Sequence, residues 1–531
     1  MHQSGVFSRI ALLLLCAALV FGAASCQSGG IRIESVNDDG TVVVSDGSGN
    51  KYVYEYYVPA EEGSGTEEEK QTMTVNLLEY GAAGDGETDD SKALKGALAS
   101  LAKTGGTLYI PGGTYLITEN VRVAFGNLTI RGDGASTNIV YRREQKDGET
   151  FERASLFTIL DSPSNITVRD IKLTYDGSFF GEAGQSYSGL VSGICINTGS
   201  DICIKNAEIC GFNQNGVVIQ GSASTYVKRV SVIGCNLHDN RVAGVLYGYV
   251  DGLTIAECSL CNNGAEKDGG TGYGCAGWSG MHPKNILVIG NVANGNSRKG
   301  LDVHAGERIV IDGNTCKGNG LYGIYAEGEL TSDITITNNV VSDIPTKNDY
   351  GELYTAKYGI CVGSYAVPED GEYHNYTISN NVIRDFIGTE GMILPLYLYC
   401  PTVEGFVKIT ENIIDTGTAD YILVMNRTEA GTDNKFNVDI SSNDIRVGTV
   451  RSVPMILCGK RVGFSDNIIK LGNCSSQVFA SLSQASGGSE TIFRDNVLNV
   501  TNGPASITFL SGNALKGHIS DGNYINGKNA K

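Results

Sequence analysis

Residues 278–328 read WSGMHPKNILVIGNVANGNSRKGLDVHAGERIVIDGNTCKGNGLYGIYAEG, and the stretch repeats on itself. His282-Pro283-Lys284-Asn285-Ile286 lies over His304-Ala305-Gly306-Glu307-Arg308-Ile309. Each segment runs into a short β-branched strand that ends in Gly-Asn, at Gly290-Asn291 and Gly313-Asn314. The step between the two asparagines is 23 residues, the length of one coil of a stacked β-solenoid. Residues one coil apart then lie about one strand spacing apart, roughly 5 Å, so distance in sequence becomes contact in space.

Strand alternation sorts the side chains of this stretch into two faces. In Gly300-Leu301-Asp302-Val303-His304, Leu301 and Val303 are expected to point inward, and Asp302 and His304 outward. In Gly323-Ile324-Tyr325-Ala326-Glu327 the outward pair is Tyr325 and Glu327, and in Gly280-Met281-His282 it is His282. Arg298 and Lys299 stand beside this set, and Trp278, the only tryptophan, is close in sequence. Acids, bases and cations thus share one face of three successive coils, which is the candidate active site. A lone outward His or Tyr is ordinarily surface; it is their grouping that points to chemistry. His238, His374 and His518 have no such company and read as surface residues.

The coils continue to the end of the chain. Asparagine recurs after the strand at Asn291, Asn314, Asn339, Asn381, Asn412, Asn443, Asn467, Asn496 and Asn523, as an internal hydrogen-bonded ladder would require. The longer steps mark insertions, chiefly 345–357 and 366–374, of the kind that wall a groove on one face of a solenoid. Tyr350, Tyr354, Tyr365, Tyr373, Tyr397, Tyr399 and Phe406 would supply rings for stacking on sugars, or pack.

Composition agrees with many short strands and tight turns: Gly 70 of 531 residues, Pro 10, and 18% charged residues against an ordinary ~25%. The net charge of −18 argues against nucleic-acid binding. Of the Cys 14, those from Cys195 to Cys361 fall mostly in strand-like runs and read as small buried hydrophobes. Cys258-x-x-Cys261 has no second pair beside it, so no zinc site is expected there.

The chain divides into four segments. Residues 1–25 form a targeting segment, with Arg9 ahead of the apolar run Ile10–Phe21, which is too short to span a bilayer. With Ala23-Ala24-Ser25-Cys26 it resembles a bacterial lipoprotein signal, which implies export to the cell envelope and lipidation of Cys26. Residues 26–58 read as a small β module, with turns at Asp38-Asp39-Gly40 and Asp46-Gly47-Ser48-Gly49. Residues 59–72 form an acidic linker, and 73–531 the main domain.

The main domain opens with Tyr80-Gly81-Ala82-Ala83-Gly84-Asp85-Gly86-Glu87-Thr88-Asp89-Asp90. In the next segment Ala93, Leu94, Ala97, Leu98 and Leu101 share one helical face, with Asp89 or Asp90 placed to cap it. Gly105-Gly106-Thr107-Leu108-Tyr109-Ile110-Pro111-Gly112-Gly113-Thr114-Tyr115-Leu116-Ile117 then enters the first strands. Together these resemble the amino-terminal end of the pectate-lyase-like superfamily. The resemblance implies an all-β fold, a right-handed parallel β-helix behind a short capping helix. It does not imply one activity, because the superfamily includes lyases, glycosidases, epimerases and phage tailspikes. Asp85, Asp89 and Asp90 read as structural.

A β-helix offers a long grooved face, which fits an extended polysaccharide, and two chemistries suit the cluster. The first is proton abstraction at C5 of a uronate, by a lyase or an epimerase. His304 is the natural base, Asp302 its orienter, Tyr325 an acid, and Arg298 and Lys299 partners for the carboxylate. Gly300-Leu301-Asp302-Val303-His304 resembles the Y-G-F-D-P-H motif of mannuronan C5-epimerases. That implies catalytic roles for Asp302 and His304; Lys299 stands where the motif has its acid/base Tyr and Val303 where it has Pro, so Lys299 or Tyr325 would have to substitute for that Tyr. The second chemistry is glycoside hydrolysis by the paired carboxylates Asp302 and Glu327, expected about 5–8 Å apart on adjacent coils. His282 and Trp278 would bind substrate. A non-catalytic alternative is a glycan-binding or adhesive surface solenoid. Lyases of the superfamily often use calcium, but no compact oxygen-ligand loop is visible, and no metal is assigned. The expected partners are a polysaccharide and, through the lipid anchor, a membrane; the protein is expected to be a monomer.

Overall fold

The computed structural model describes residues 73–144, 154–177, 191–264, 271–329, 331–345, 355–364, 373–388, 390–399, 404–426, 435–482, 490–511 and 518–530. It also describes three strands near the amino terminus, Arg32–Val36, Thr41–Ser45 and Lys51–Glu55, which pair antiparallel in that order. The chain separates into two compact units, Met1–Val58 and Pro59–Lys531. The targeting segment with Cys26, the acidic linker and most of both insertions lie outside the described residues, as do Tyr350, Tyr354 and Tyr365.

The larger unit is a right-handed parallel β-helix. A sheet of 14 strands runs in parallel pairs from Val121–Val123 to Thr508–Ser511. A second stack runs through Lys284–Ile289, Glu307–Asp312 and Ser332–Thr337, and a third through Val292–Asn294, Thr315–Lys317 and Val340–Ser342. Parallel pairing puts like residues on top of one another. Ile286, Ile309 and Ile334 are in register, and so are Val288, Ile311 and Ile336. All six are at most 2% exposed. The facing column Leu301, Ile324, Ile360 and Leu396 comes from the 14-stranded sheet. Each such side chain contributes about 2–3 kcal/mol through burial, so the fold rests on columns rather than on single contacts.

The helix Ser91–Leu101 caps the stack and buries Ala93, Leu94, Ala97, Leu98 and Leu101, the face read from the sequence. Asp90 occupies its N-cap position but makes no side-chain cap bond. Its carboxylate instead accepts from the Ala83 and Gly84 N–H groups, while Asp89 takes the Ser91 N–H and Asp85 orders its own turn. All three are structural.

The asparagine ladder forms as expected. Asn314 donates from both its backbone N and Nδ2 to Asn339 Oδ1, and its Nδ2 also reaches the Val288 carbonyl, all at 2.9 Å. The same set of bonds repeats down to Asn523. Each rung follows a residue in the left-handed conformation: Gly290, Gly313, Asn338, Asn380, Glu411, Ser442, Asp466, Asp495 and Gly522. That bend turns the next asparagine into the interior, which is the physical content of the Gly-Asn signal. Cys235 and Cys258 continue the column above Asn291: the Cys235 N–H meets Cys258 Sγ, and the Cys258 N–H meets Asn291 Oδ1. A second ladder, Asn240–Asn263–Asn296–Asn319, was not anticipated.

Two readings of isolated residues need correction. His374 is only 2% exposed, with its Nδ1 3.2 Å from Tyr376 Oη, because its strand pairs on both sides. His238 has close neighbours in Glu208 and Asp239. The eleven cysteines described, Cys195 to Cys474, are free.

Candidate active site

Asp302 is the centre of the cluster. It lies in the strand Lys299–Val303 between Leu301 and Val303, whose side chains enter the core, and so it faces the other way. Register places it beside Tyr325 on the next coil. Its Oδ2 accepts a 2.9 Å hydrogen bond from Lys299 Nζ. Its Oδ1 lies 2.9 Å from His304 Nδ1, at ion-pair distance but off the line of a hydrogen bond, and neither of those atoms has another partner.

Lys299 reaches Asp302 because alternation breaks at Gly300. Lys299 and Leu301 would otherwise share a face. Gly274, Gly300, Gly323 and Gly359 form a column in which an added Cβ would strike the neighbouring coil: at Gly300 it would sit 2.6 Å from the Gly323 carbonyl, and at Gly323 2.2 Å from Val341 Cγ1. Only glycine lets the packed backbone approach so closely here. The residues just before these glycines, Tyr273, Lys299, Tyr322 and Tyr358, are therefore aligned in register. The Lys299 ammonium sits 3.4 Å from the centroid of the Tyr325 ring, a cation–π contact, and 5.2 Å from that of Tyr322. The Tyr322 and Tyr358 rings stack at 4.6 Å, and Tyr358 meets Tyr397 at 5.3 Å. The signal for this column was the recurring Tyr-Gly pair, which strand alternation alone does not explain.

The face expected for the cluster is right, but its openness is not. Asp302, Lys299 and Glu327 are at most 4% exposed, and Tyr325 is buried as well. His304, just beyond the strand, is the most open of the five, with 20% of its side chain exposed. Burial sets the proton affinities. It pushes the Asp302 carboxyl up, yet His304 and the Lys299 ammonium outweigh it and hold the group below its ordinary range. Burial also lowers Lys299, against the pull of Asp302. Glu327 goes the other way: burial moves it up to about 7, although it accepts a 2.9 Å hydrogen bond from Cys361 Sγ. Burial and the nearby Glu327 raise Tyr325 far above its ordinary value, so its phenol keeps its proton. Cys361 was not expected in the cluster; it enters because it is the register neighbour of Tyr325.

The outlying residues are only partly gathered. Gly280-Met281-His282 is not a strand: it follows Tyr273–Gly277, with Gly280 left-handed and the Met281 N–H bonded to the Trp278 carbonyl. The two histidines are therefore out of register. Lys284 pairs with Glu307, a step of 23 residues, whereas His282 and His304 are one residue closer in sequence. His282 Nδ1 lies 3.2 Å from the Ala305 carbonyl oxygen instead. Arg298 is half-buried, with Nη1 3.4 Å from Tyr273 Oη. Trp278 is half-buried, and its N–H bonds the Tyr247 carbonyl.

The family model described as rhamnogalacturonase A/epimerase, pectate lyase-like, matches residues 74–325. Over those residues the chain is similar to the pectate-lyase-like superfamily. The match takes in Lys299, Asp302, His304 and Tyr325 and stops short of Glu327. A probable rhamnogalacturonase A of Aspergillus oryzae is 31% identical over 153 residues, 26% of this chain and 32% of that protein. Mannuronan C5-epimerase AlgE5 of Azotobacter vinelandii is 39% identical over 62 residues, 12% of this chain and 6% of the epimerase. Matched stretches thus span under a third of these relatives' own length. The solved A-module of mannuronan C-5 epimerase AlgE4 from Azotobacter vinelandii superimposes with a TM-score of 0.48 at 18% identity, covering 73% of this chain and 99% of the module.

Proposed function

We propose that this protein is a polysaccharide-active enzyme that abstracts the C5 proton of a uronate residue, with His304 as the base. The observation that carries this reading is the pairing of a buried, ionised Asp302 with the most open side chain of the cluster. A buried carboxylate beside Nδ1 favours the proton on that nitrogen and leaves Nε2 free to accept one. His304 takes the C5 proton. In a lyase the electron pair forms the C4=C5 double bond as the C4–O4 bond breaks, and the Tyr325 phenol gives its proton to the departing oxygen. In an epimerase a proton returns to C5 from the opposite face of the ring. Glu327, half protonated near pH 7, can meet the substrate carboxylate with a hydrogen bond rather than a like charge. Arg298 at the rim supplies the attraction that a chain of net charge −18 otherwise lacks.

Hydrolysis by Asp302 and Glu327 is the second reading. It is favoured by environments that drive the two carboxyls apart, one low and one high. Against it, Asp302 is 1% exposed with both oxygens engaged, and so is poorly placed to activate a water. The same proposal puts the protein outside the cytoplasm, tethered through lipidated Cys26; palmitate labelling that is lost in Cys26→Ala would support the tether.

The test uses the purified chain and His304→Ala on polymannuronate, polyguluronate, polygalacturonate and rhamnogalacturonan. Ultraviolet absorbance reports unsaturated uronate ends, deuterium uptake at C5 reports epimerisation, and a reducing-sugar assay reports any cleavage. The expected result is absorbance or deuterium uptake with the parent, cut about 100- to 10,000-fold in the variant. Reducing ends without either signal would overturn proton abstraction in favour of hydrolysis.

A further inference from the structure

On the third stack of strands, away from the sheet that carries Asp302, three metal-binding side chains meet. Glu208 and Cys210 lie in the strand Glu208–Cys210, and His238 ends the strand Asn236–His238 on the next coil, with Cys210 and His238 in register. One ligand atom from each of Glu208, Cys210 and His238 lies within 4.8 Å of the other two. Among the described residues no other group of three does this. We propose that Glu208, Cys210 and His238 form a site for a thiophilic divalent cation of the zinc type.

Three observations support the site. Sulfur, imidazole and carboxylate together are the ligand set that such ions prefer, and a three-residue set leaves the fourth position to water. The histidine is already oriented: Asp239 Oδ2 lies 2.6 Å from His238 Nδ1, while Nε2 points at Glu208 Oε1, 3.5 Å away. A carboxylate behind the ring is how a ligating histidine is ordinarily held. Finally, all three ligands are only partly buried, so an ion has access. Lys172 shares the Glu208 carboxylate: its ammonium sits 2.7 Å from Glu208 Oε1, with a side chain 30% exposed. A bound cation would replace it there, and the thiol would give up its proton on binding.

The competition with Lys172 provides a test that misfolding cannot imitate. The chelator-treated chain is titrated with zinc against a chromophoric chelator, and with cobalt(II) for its absorption spectrum. One equivalent should bind, and cobalt should show sulfur-to-metal charge-transfer absorption. Cys210→Ser should abolish that absorption, and Cys210→Ser and His238→Ala should each weaken zinc at least about 10-fold. Lys172→Ala should tighten zinc about two- to five-fold, the worth of an exposed ion pair. Charge-transfer absorption that is absent from the parent, or that survives in Cys210→Ser, would overturn the proposal. So would unchanged zinc affinity in both ligand variants, or weaker binding in Lys172→Ala.

Discussion

Glu327 should make this protein less stable as the pH rises, and Glu327→Gln should remove that dependence. The carboxyl ordinarily titrates at 4.5, and burial moves it to about 7 in the fold. Between those values the native state holds a proton that the unfolded chain has released. The native state therefore binds more protons, and its stability falls with increasing pH across that window. At about 1.4 kcal/mol per pH unit, the difference of roughly 2.5 amounts to about 3 kcal/mol. Gln keeps the oxygen that accepts from Cys361 and has nothing to titrate. Whatever cost the amide has of its own is the same at every pH, so the quantity to follow is the gap between parent and variant. Chemical denaturation at pH 4 and pH 8 measures it. The gap should move about 3 kcal/mol in favour of Glu327→Gln at pH 8, with most of the change between pH 4.5 and 7. A gap that stays constant within about 1 kcal/mol would show that Glu327 is solvated, and would remove the neutral acid from the proposed site.

Two further expectations concern buried polar groups. Lys299→Met strands the Asp302 charge in the interior and should cost about 3–5 kcal/mol in denaturant titration, most of it recovered by adding Asp302→Asn; a neutral single variant would mean that His304 alone satisfies the carboxylate. Asn412→Ala removes four ladder hydrogen bonds, to the Asn381 N and Nδ2, the Ile378 carbonyl and Asn443 Oδ1, and should cost about 3–5 kcal/mol. The exposed Asn473→Ala should stay within about 0.5 kcal/mol of the parent, and equal effects at the two sites would deny the ladder a structural role.

The β-helix was legible because its signals are local and repeated. The 23-residue step from Asn291 to Asn314 is the coil itself, and parallel pairing turns that step into contact. The helical face of Ser91–Leu101 needed only a period of 3.6. Alternation likewise separated Leu301 and Val303 from Asp302, and Ile324 and Ala326 from Tyr325, because strand geometry is two-fold. It failed where the chain stops being a strand. His282 lies in the turn after Tyr273–Gly277, and one residue of difference in length carried it to the Ala305 carbonyl. It failed again at Lys299, which reaches Asp302 rather than sharing the face of Leu301.

Sequence alone was enough for the fold, for the ladder and for the side chains that share a face around Asp302, since each follows from spacing and period. Three things were decided only by the tertiary structure: how deeply the cluster is buried, that Cys361 joins Glu327, and that Glu208, Cys210 and His238 converge. Burial depends on what other coils place over a side chain, and the two convergences depend on register between coils, Cys210 with His238 and Glu327 with Cys361, 28 and 34 residues apart. Neither quantity is written in any local stretch, and both set the charge states from which the proposed chemistry follows.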